Sequence, residues 1–203
     1  PGANAAQARD NNIRVVVDSD SWQGRRDVKR HVTPLWVRIE NNGDAPVRVR
    51  LRDIALVGGA GRQFDALPMY AIDGSVDSPA LIRYDPIHKP SFTARGYMIA
   101  GIYGPVYPDL ASYPGVFDYD FHYHDTRYRY WAKIPLPTTR MRLLALPEGV
   151  LKPGGTVEGF IFFEKVDPDV RGYRFEAELV NAESRSTVAE LSIPFKNIRV
   201  SRR

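Results

Sequence analysis

The stretch VTPLWVRIENNGDAPVRVRLR, residues 32–52, decides the fold class. From Thr33 to Glu40, Leu35, Val37 and Ile39 alternate with Trp36, Arg38 and Glu40. That is the period of two expected of a strand with one buried face. A second run carries the pattern in its clearest form, with Val47, Val49 and Leu51 facing inward and Arg48, Arg50 and Arg52 facing outward. Between them, Asn41-Asn42-Gly43-Asp44 supplies residues that tolerate positive φ, as a tight hairpin requires.

Strand patterns continue on both sides. Upstream, Ile13, Val15 and Val17 alternate with Arg14, Val16 and Asp18. Downstream, Ile54 to Val57 leads into the turn Gly58-Gly59-Ala60-Gly61, and Gln63 to Leu67 can pair back. Thr156 to Val166 (TVEGFIFFEKV) is apolar on both parities around Phe160 to Phe163, as in a central strand buried on both faces. Tyr173, Phe175, Ala177 and Leu179 alternate with charged residues, Thr187 to Phe195 closes the series, and Ile198 to Val200 adds an edge. The expected interior combines Leu35, Val37 and Ile39, or their neighbour Trp36, with Phe160 to Phe163 and Phe175.

Residues 68–147 differ, being rich in Pro, Gly and Tyr with weak strand patterns. Only Thr138 to Leu146 reads as a helix, opened by a Thr cap and ended by Pro147. The expectation is an all-β protein: one antiparallel immunoglobulin-like β-sandwich over 13–200, with a long Tyr/Pro-rich insertion at about 68–147 and one short helix. Residues 1–12 (PGANAAQARDNN) read as a polar tether. A leader of this kind suits an exported protein held at a membrane through residues upstream of Pro1.

Composition narrows the function classes. The 203 residues contain no cysteine, which excludes disulfides, thiol nucleophiles and thiolate metal sites. No apolar run approaches the roughly 20 residues that span a bilayer. A net charge of +4 is compatible with anionic partners but is not the footprint of a dedicated nucleic-acid binder.

Two blocks carry a resemblance. Val32 to Leu67, with its Thr-Pro strand, its Glu-Asn-Asn-Gly turn and its glycine turn leading into Ala66-Leu67-Pro68, resembles the opening strands of bacterial envelope proteins and lipoproteins with an immunoglobulin-like sandwich. Leu146 to Val166 (LPEGVLKPGGTVEGFIFFEKV) is similar to their proline-glycine turn and aromatic strand. The blocks cover roughly a third of the chain and mark turns and core strands, so they transfer no catalytic residue. The resemblance implies a periplasmic or other extracytoplasmic location and a binding or structural role. No lipid-bearing cysteine is present, so an anchor is expected only upstream.

Three constellations could carry chemistry. In Asp118-Tyr119-Asp120-Phe121-His122-Tyr123-His124-Asp125, an extended chain would place Asp118, Asp120, His122 and His124 on one face, a ligand set for Zn, Ni or Mn. Such neighbours chelate poorly without ligands from another segment, and the bland alternative has them capping the loop while the aromatics pack. No other cofactor is expected. Eight of the 11 tyrosines lie between Tyr97 and Tyr130. Tyr103, Tyr107, Tyr113, Tyr119, Tyr123, Tyr128, Tyr130 and Trp131 are therefore candidate partner contacts, against the alternative that they form a core for the insertion. Arg48, Arg50 and Arg52 form a stripe that could meet anionic lipid or an acidic protein surface.

Enzyme signatures are lacking: there is no GxSxG elbow, no phosphate-cradling GxxxxGK[ST] and no GxGxxG between strand and helix. The function expected is non-catalytic, a structural or accessory subunit docking on an envelope membrane protein or complex. The alternative is a metal or glycan binder using residues 118–131.

Overall fold

A computed structural model describes residues 5–74, 78–82, 84–134, 136–167 and 172–196. It is built chiefly of antiparallel strands: β1 (Ala5–Asp10), β2 (Ile13–Asp18), β3 (Val32–Asn41), β4 (Val47–Val49), β5 (Ile54–Gly58), β6 (Gln63–Asp65), β7 (Ala71–Gly74), β8 (Pro79–Ile82), β9 (Thr93–Ile99), β10 (Gly149–Glu164), β11 (Gly172–Asn181) and β12 (Thr187–Lys196). Three short helices accompany them: α1 (Val28–His31), α2 (Phe121–Tyr128) and α3 (Thr139–Leu144). The expected edge at Ile198 to Val200 lies outside the described residues.

The long strand β10 organises the molecule. Its second half pairs with β3, from Thr156 opposite Glu40 to Glu164 opposite Val32. Its first half pairs with β4, Gly149 opposite Val49 and Leu151 opposite Val47. β3 and β4 therefore follow one another along the same strand and do not form the hairpin expected at Asn41 to Asp44. Asn41 is buried there, its side-chain amide donating to the carbonyls of Ala45 (2.8 Å) and Leu151 (3.1 Å). Opposite it β10 shifts register between Leu151 and Thr156, where Gly154 adopts φ 71°, a value that favours glycine. At this corner the ladder passes from β2 and β3 to β4 and β11.

From Ala5 the N-terminal tract is a strand, where a tether was expected. β1 pairs with β2 from Ala5 opposite Asp18 to Asp10 opposite Ile13. The connection is the two residues Asn11 (φ 42°) and Asn12 (φ 64°), the left-handed pair of a primed hairpin turn. β1 then meets the far end of the sheet: the Asn11 side chain donates to the Val188 carbonyl (2.8 Å), and the Glu190 N–H donates to Asp10 (2.9 Å). The strands thus curl round a common core.

That core contains the residues expected from the strand pattern. Leu35, Val37, Ile39, Phe163 and Phe175 are fully buried, and Ile161 and Phe162 nearly so. Trp36 is only partly covered. The side of β10 carrying Phe160 and Phe162 is closed by Trp22, whose ring meets both edge-on at 5.2 and 5.4 Å.

The insertion is tied to β10 at both stems, each with the sequence Ala-Leu-Pro. The Leu67 N–H donates to the Phe162 carbonyl (2.7 Å) and the Leu146 N–H to the Phe160 carbonyl (2.9 Å). α3 forms where the sequence places a helix, with Thr138 accepting from the Met141 N–H (3.3 Å) as its N-cap. α2 forms where an extended run was expected. Asp120 accepts from the Tyr123 N–H (2.9 Å) and starts the helix.

Candidate functional site

The loop before α2 covers the Arg48 side chain that was expected to meet solvent, and two of the three stripe arginines, Arg48 and Arg50, are interior groups. Arg48 is 2% exposed. Its guanidinium donates to the Ala182 carbonyl (2.6 Å), the Val116 carbonyl (3.2 Å) and Asp118 (2.9 Å), with the Phe117 ring 5.8 Å away. Arg50 is also buried and pairs with Asp53. Arg52, at the rim, reaches Asp120 at 3.3 Å. A cation taken from water needs such partners: Arg48 and Arg52 tie the insertion to the sheet, while Arg50 pairs with Asp53 beside it, so the stripe is not the wholly exposed face expected from its alternation.

The metal ligand set is dispersed for the same reason. Asp118 binds Arg48 and Arg185, and Asp120 caps α2 and binds Arg52. The two histidines, two residues apart, fall on nearly opposite faces of one helical turn, His122 exposed and His124 buried. The described residues contain no group of three or more His, Asp or Glu placed to hold a metal.

His124 belongs to a polar cluster that sequence reasoning missed. Glu148, 4% exposed, receives His124 Nε2 at 3.1 Å, the Tyr103 hydroxyl at 3.0 Å and the Leu51 N–H at 2.9 Å. Burial opposes its ionisation, but the His124 charge and these three hydrogen bonds outweigh it and hold its carboxyl below the ordinary 4.5. Tyr103 is raised in turn by burial and by the adjacent Glu148. The signal was a lone acid in the apolar run LALPEGVL. With His124 and Tyr103 almost fully enclosed, the cluster joins α2, the turn after Ala100 and the turn after β4 to the start of β10. Next to it, Tyr70, Tyr103 and Tyr107 border a cavity of about 20 Å³, room for one water.

Because Glu148 is depressed in the folded state, its contribution is present above the unfolded value near 4.5 and is lost as pH falls through the lower folded value. Glu148→Gln should cost about 1–3 kcal/mol at neutral pH, and the gap from wild type should close in acid. Thermal unfolding of both proteins from about pH 7 to 3 measures this. A gap that stays constant across the range would show that the Glu148 charge contributes nothing.

The aromatic set expected to contact a partner is largely structural. Tyr103, Tyr107 and Trp131 are buried, and the Trp131 indole donates to the Pro68 carbonyl (2.6 Å). Tyr113, Tyr119, Tyr123, Tyr128 and Tyr130 are partly buried against the core. Tyr119 accepts from the Ile102 N–H (3.0 Å), Tyr123 donates to the Ala66 carbonyl (2.5 Å) and Tyr130 to the His31 carbonyl (2.8 Å). The insertion lacks enough aliphatic residues to fill its interior, and tyrosines supply both bulk and hydrogen bonds.

The insertion exposes large apolar groups at Val116, in the loop before α2, and at Ile82 and Tyr84. β7 and β8 form a two-stranded ribbon apart from the main sheet. On β8 Ala80 and Ile82 face outward, and Tyr84 follows, with Ile82 45% and Tyr84 46% exposed. The chain then borders a cleft of about 290 Å³ between residues 85–89 and α3, lined by Pro86, Ile87 and Leu143 together with Asp85, His88, Lys89, Thr139 and Arg142.

No described helix is long and apolar enough to cross a membrane. Comparison with known protein families, curated proteins and solved structures finds no match to this chain.

Proposed function

We propose that this protein is a non-catalytic, extracytoplasmic accessory subunit, an immunoglobulin-type sandwich that docks on an envelope membrane protein or complex through the outer surface of its insertion. The observation that carries the reading is the exposed row Ala80, Ile82 and Tyr84 beside the cleft at α3. Large apolar side chains exposed together on a ribbon are suited to burial against another protein. Most of the insertion's other aromatics are occupied in packing, which favours this surface as the contact. The resemblance of residues 32–67 and 146–166 to envelope proteins supports the location.

The double variant Ile82→Asp, Tyr84→Ser should unfold within about 1 kcal/mol of wild type, since both side chains are half exposed. It should lose the membrane protein that co-purifies with wild type from detergent-solubilised envelopes. Retention of that partner by a folded variant would place the contact elsewhere.

A further inference from the structure

The cleft between residues 85–89 and α3 is pinned open by the backbone. The Ile87 N–H donates to the Val106 carbonyl (2.5 Å), which sets the first wall. The Ser91 N–H donates to the Leu143 carbonyl (2.8 Å), which ties the chain beyond that wall to the helix opposite. At about 290 Å³ the space suits one or two side chains, since a cavity of about 150 Å³ holds a benzene ring. Pro86, Ile87 and Leu143 give it an apolar floor, and unfilled apolar walls forgo the contacts that an occupant would supply.

The charged groups of the cleft are unequal in sign. Arg142 is three-quarters covered and lies 6.0 Å over the Tyr70 ring, which sets its guanidinium in place. Among the described residues its one hydrogen-bond acceptor is Asp85, at 3.0 Å. The Asp85 side chain is 83% exposed, so water screens this pair and it holds weakly. Asp85 thus marks where a carboxylate lies against Arg142, and one brought in on an apolar body competes for the same donors. Lys89 lines the cleft and Arg140 is exposed on α3, and among the described residues neither has a carboxylate partner. Asp85 is the one acid lining the cleft among the described residues. It directly follows Tyr84, so the exposed row Ala80, Ile82 and Tyr84 runs along the chain into the cleft. An isolated small molecule would leave that row bare, whereas a polypeptide segment covers both.

We infer that the cleft receives an apolar side chain of the docking partner flanked by carboxylates, which Arg142 and Lys89 engage, an assignment that rests on the docking proposed above and names the chemistry of the segment that docks. Three blocked tripeptides are the probes: glutamate-leucine-glutamate, the same with glutamines for the glutamates, and the same with alanine for the leucine. Each is titrated into the protein at constant ionic strength while the amide resonances of Ile87, Lys89, Arg142 and Leu143 are followed by NMR. Saturable shifts with the first peptide are expected, weakened about tenfold by either change of peptide. Arg142→Gln should weaken the first peptide about tenfold, and Lys89→Gln, at an exposed position, about threefold, so one variant tests the site if the other fails to fold.

Absence of a saturable response, equal responses to the glutamate and glutamine peptides, or a response that survives both substitutions overturns the assignment. So does saturable binding of octanoate at these residues without binding of the first peptide, which makes the cleft a site for a free amphiphilic acid. The docking itself fails separately. A membrane partner lost by the Ile82/Tyr84 variant but retained by Arg142→Gln overturns the cleft and leaves docking intact. Peptide binding by a protein that captures no partner from solubilised envelopes overturns docking and leaves the chemistry of the cleft standing.

Discussion

Replacing Phe162 by alanine should remove about 3–5 kcal/mol of stability, enough to bring a typical domain close to unfolding. Phe162 is 1% exposed, stacked at 6.1 Å on Phe160 and met edge-on by Trp22. Its carbonyl also receives the Leu67 N–H at the first stem of the insertion. A void beneath Trp22 cannot close by local repacking without moving the stem. Ile161→Ala, directed to the other side of the strand, should cost about 2–5 kcal/mol. Chemical denaturation of both variants measures the loss. Values below about 1 kcal/mol at both sites would contradict the central position of β10.

Deleting residues 106–127 should abolish cooperative folding. On sequence grounds a folded sandwich could survive that deletion, because the insertion reads as a loop displaying tyrosines. The structure gives the opposite expectation. The deletion removes Val106, Tyr107, Phe117 and His124 from the interior and leaves the Arg48 guanidinium without Asp118 and the Val116 carbonyl. Glu148 also loses His124. Each buried apolar side chain lost or uncovered costs about 1.5–3 kcal/mol, and several are affected at once. The checks are the dispersion of the NMR spectrum and the loss of a sharp thermal transition. A folded, monomeric deletion protein would show that the sheet does not need its cover.

How much the sequence revealed depended on whether each signal was local. Val47, Val49 and Leu51 are buried as their alternation requires, and α3 begins at Thr138 because a cap and a following Pro147 are both written in the chain. The outward fate of Arg48 was misread because what covers it is some 70 residues away along the chain. Asp118 to Asp125 has the period of a strand, yet the Asp120 cap outweighs it and winds the chain into α2. β1 was hidden by its alanines, which carry little strand propensity. Its evidence was the Asn11-Asn12 turn, a short-range hairpin signal. The expected turn at Asn41 to Asp44 failed because β10, more than 100 residues later, offers one continuous strand to both β3 and β4.

The two Ala-Leu-Pro stems seat on carbonyls two residues apart on β10, about 6.5–7 Å along the strand. The insertion is therefore a ring closed at a narrow neck. For such a ring the entropic cost of closure rises only with the logarithm of its length, about 0.6 kcal/mol for each doubling. Residues can be added or removed at its rim, around β7 and β8, while the neck and the strands beneath keep their register. A lineage could recast the proposed contact face at little thermodynamic expense, provided that the Arg48 and Glu148 moorings were kept.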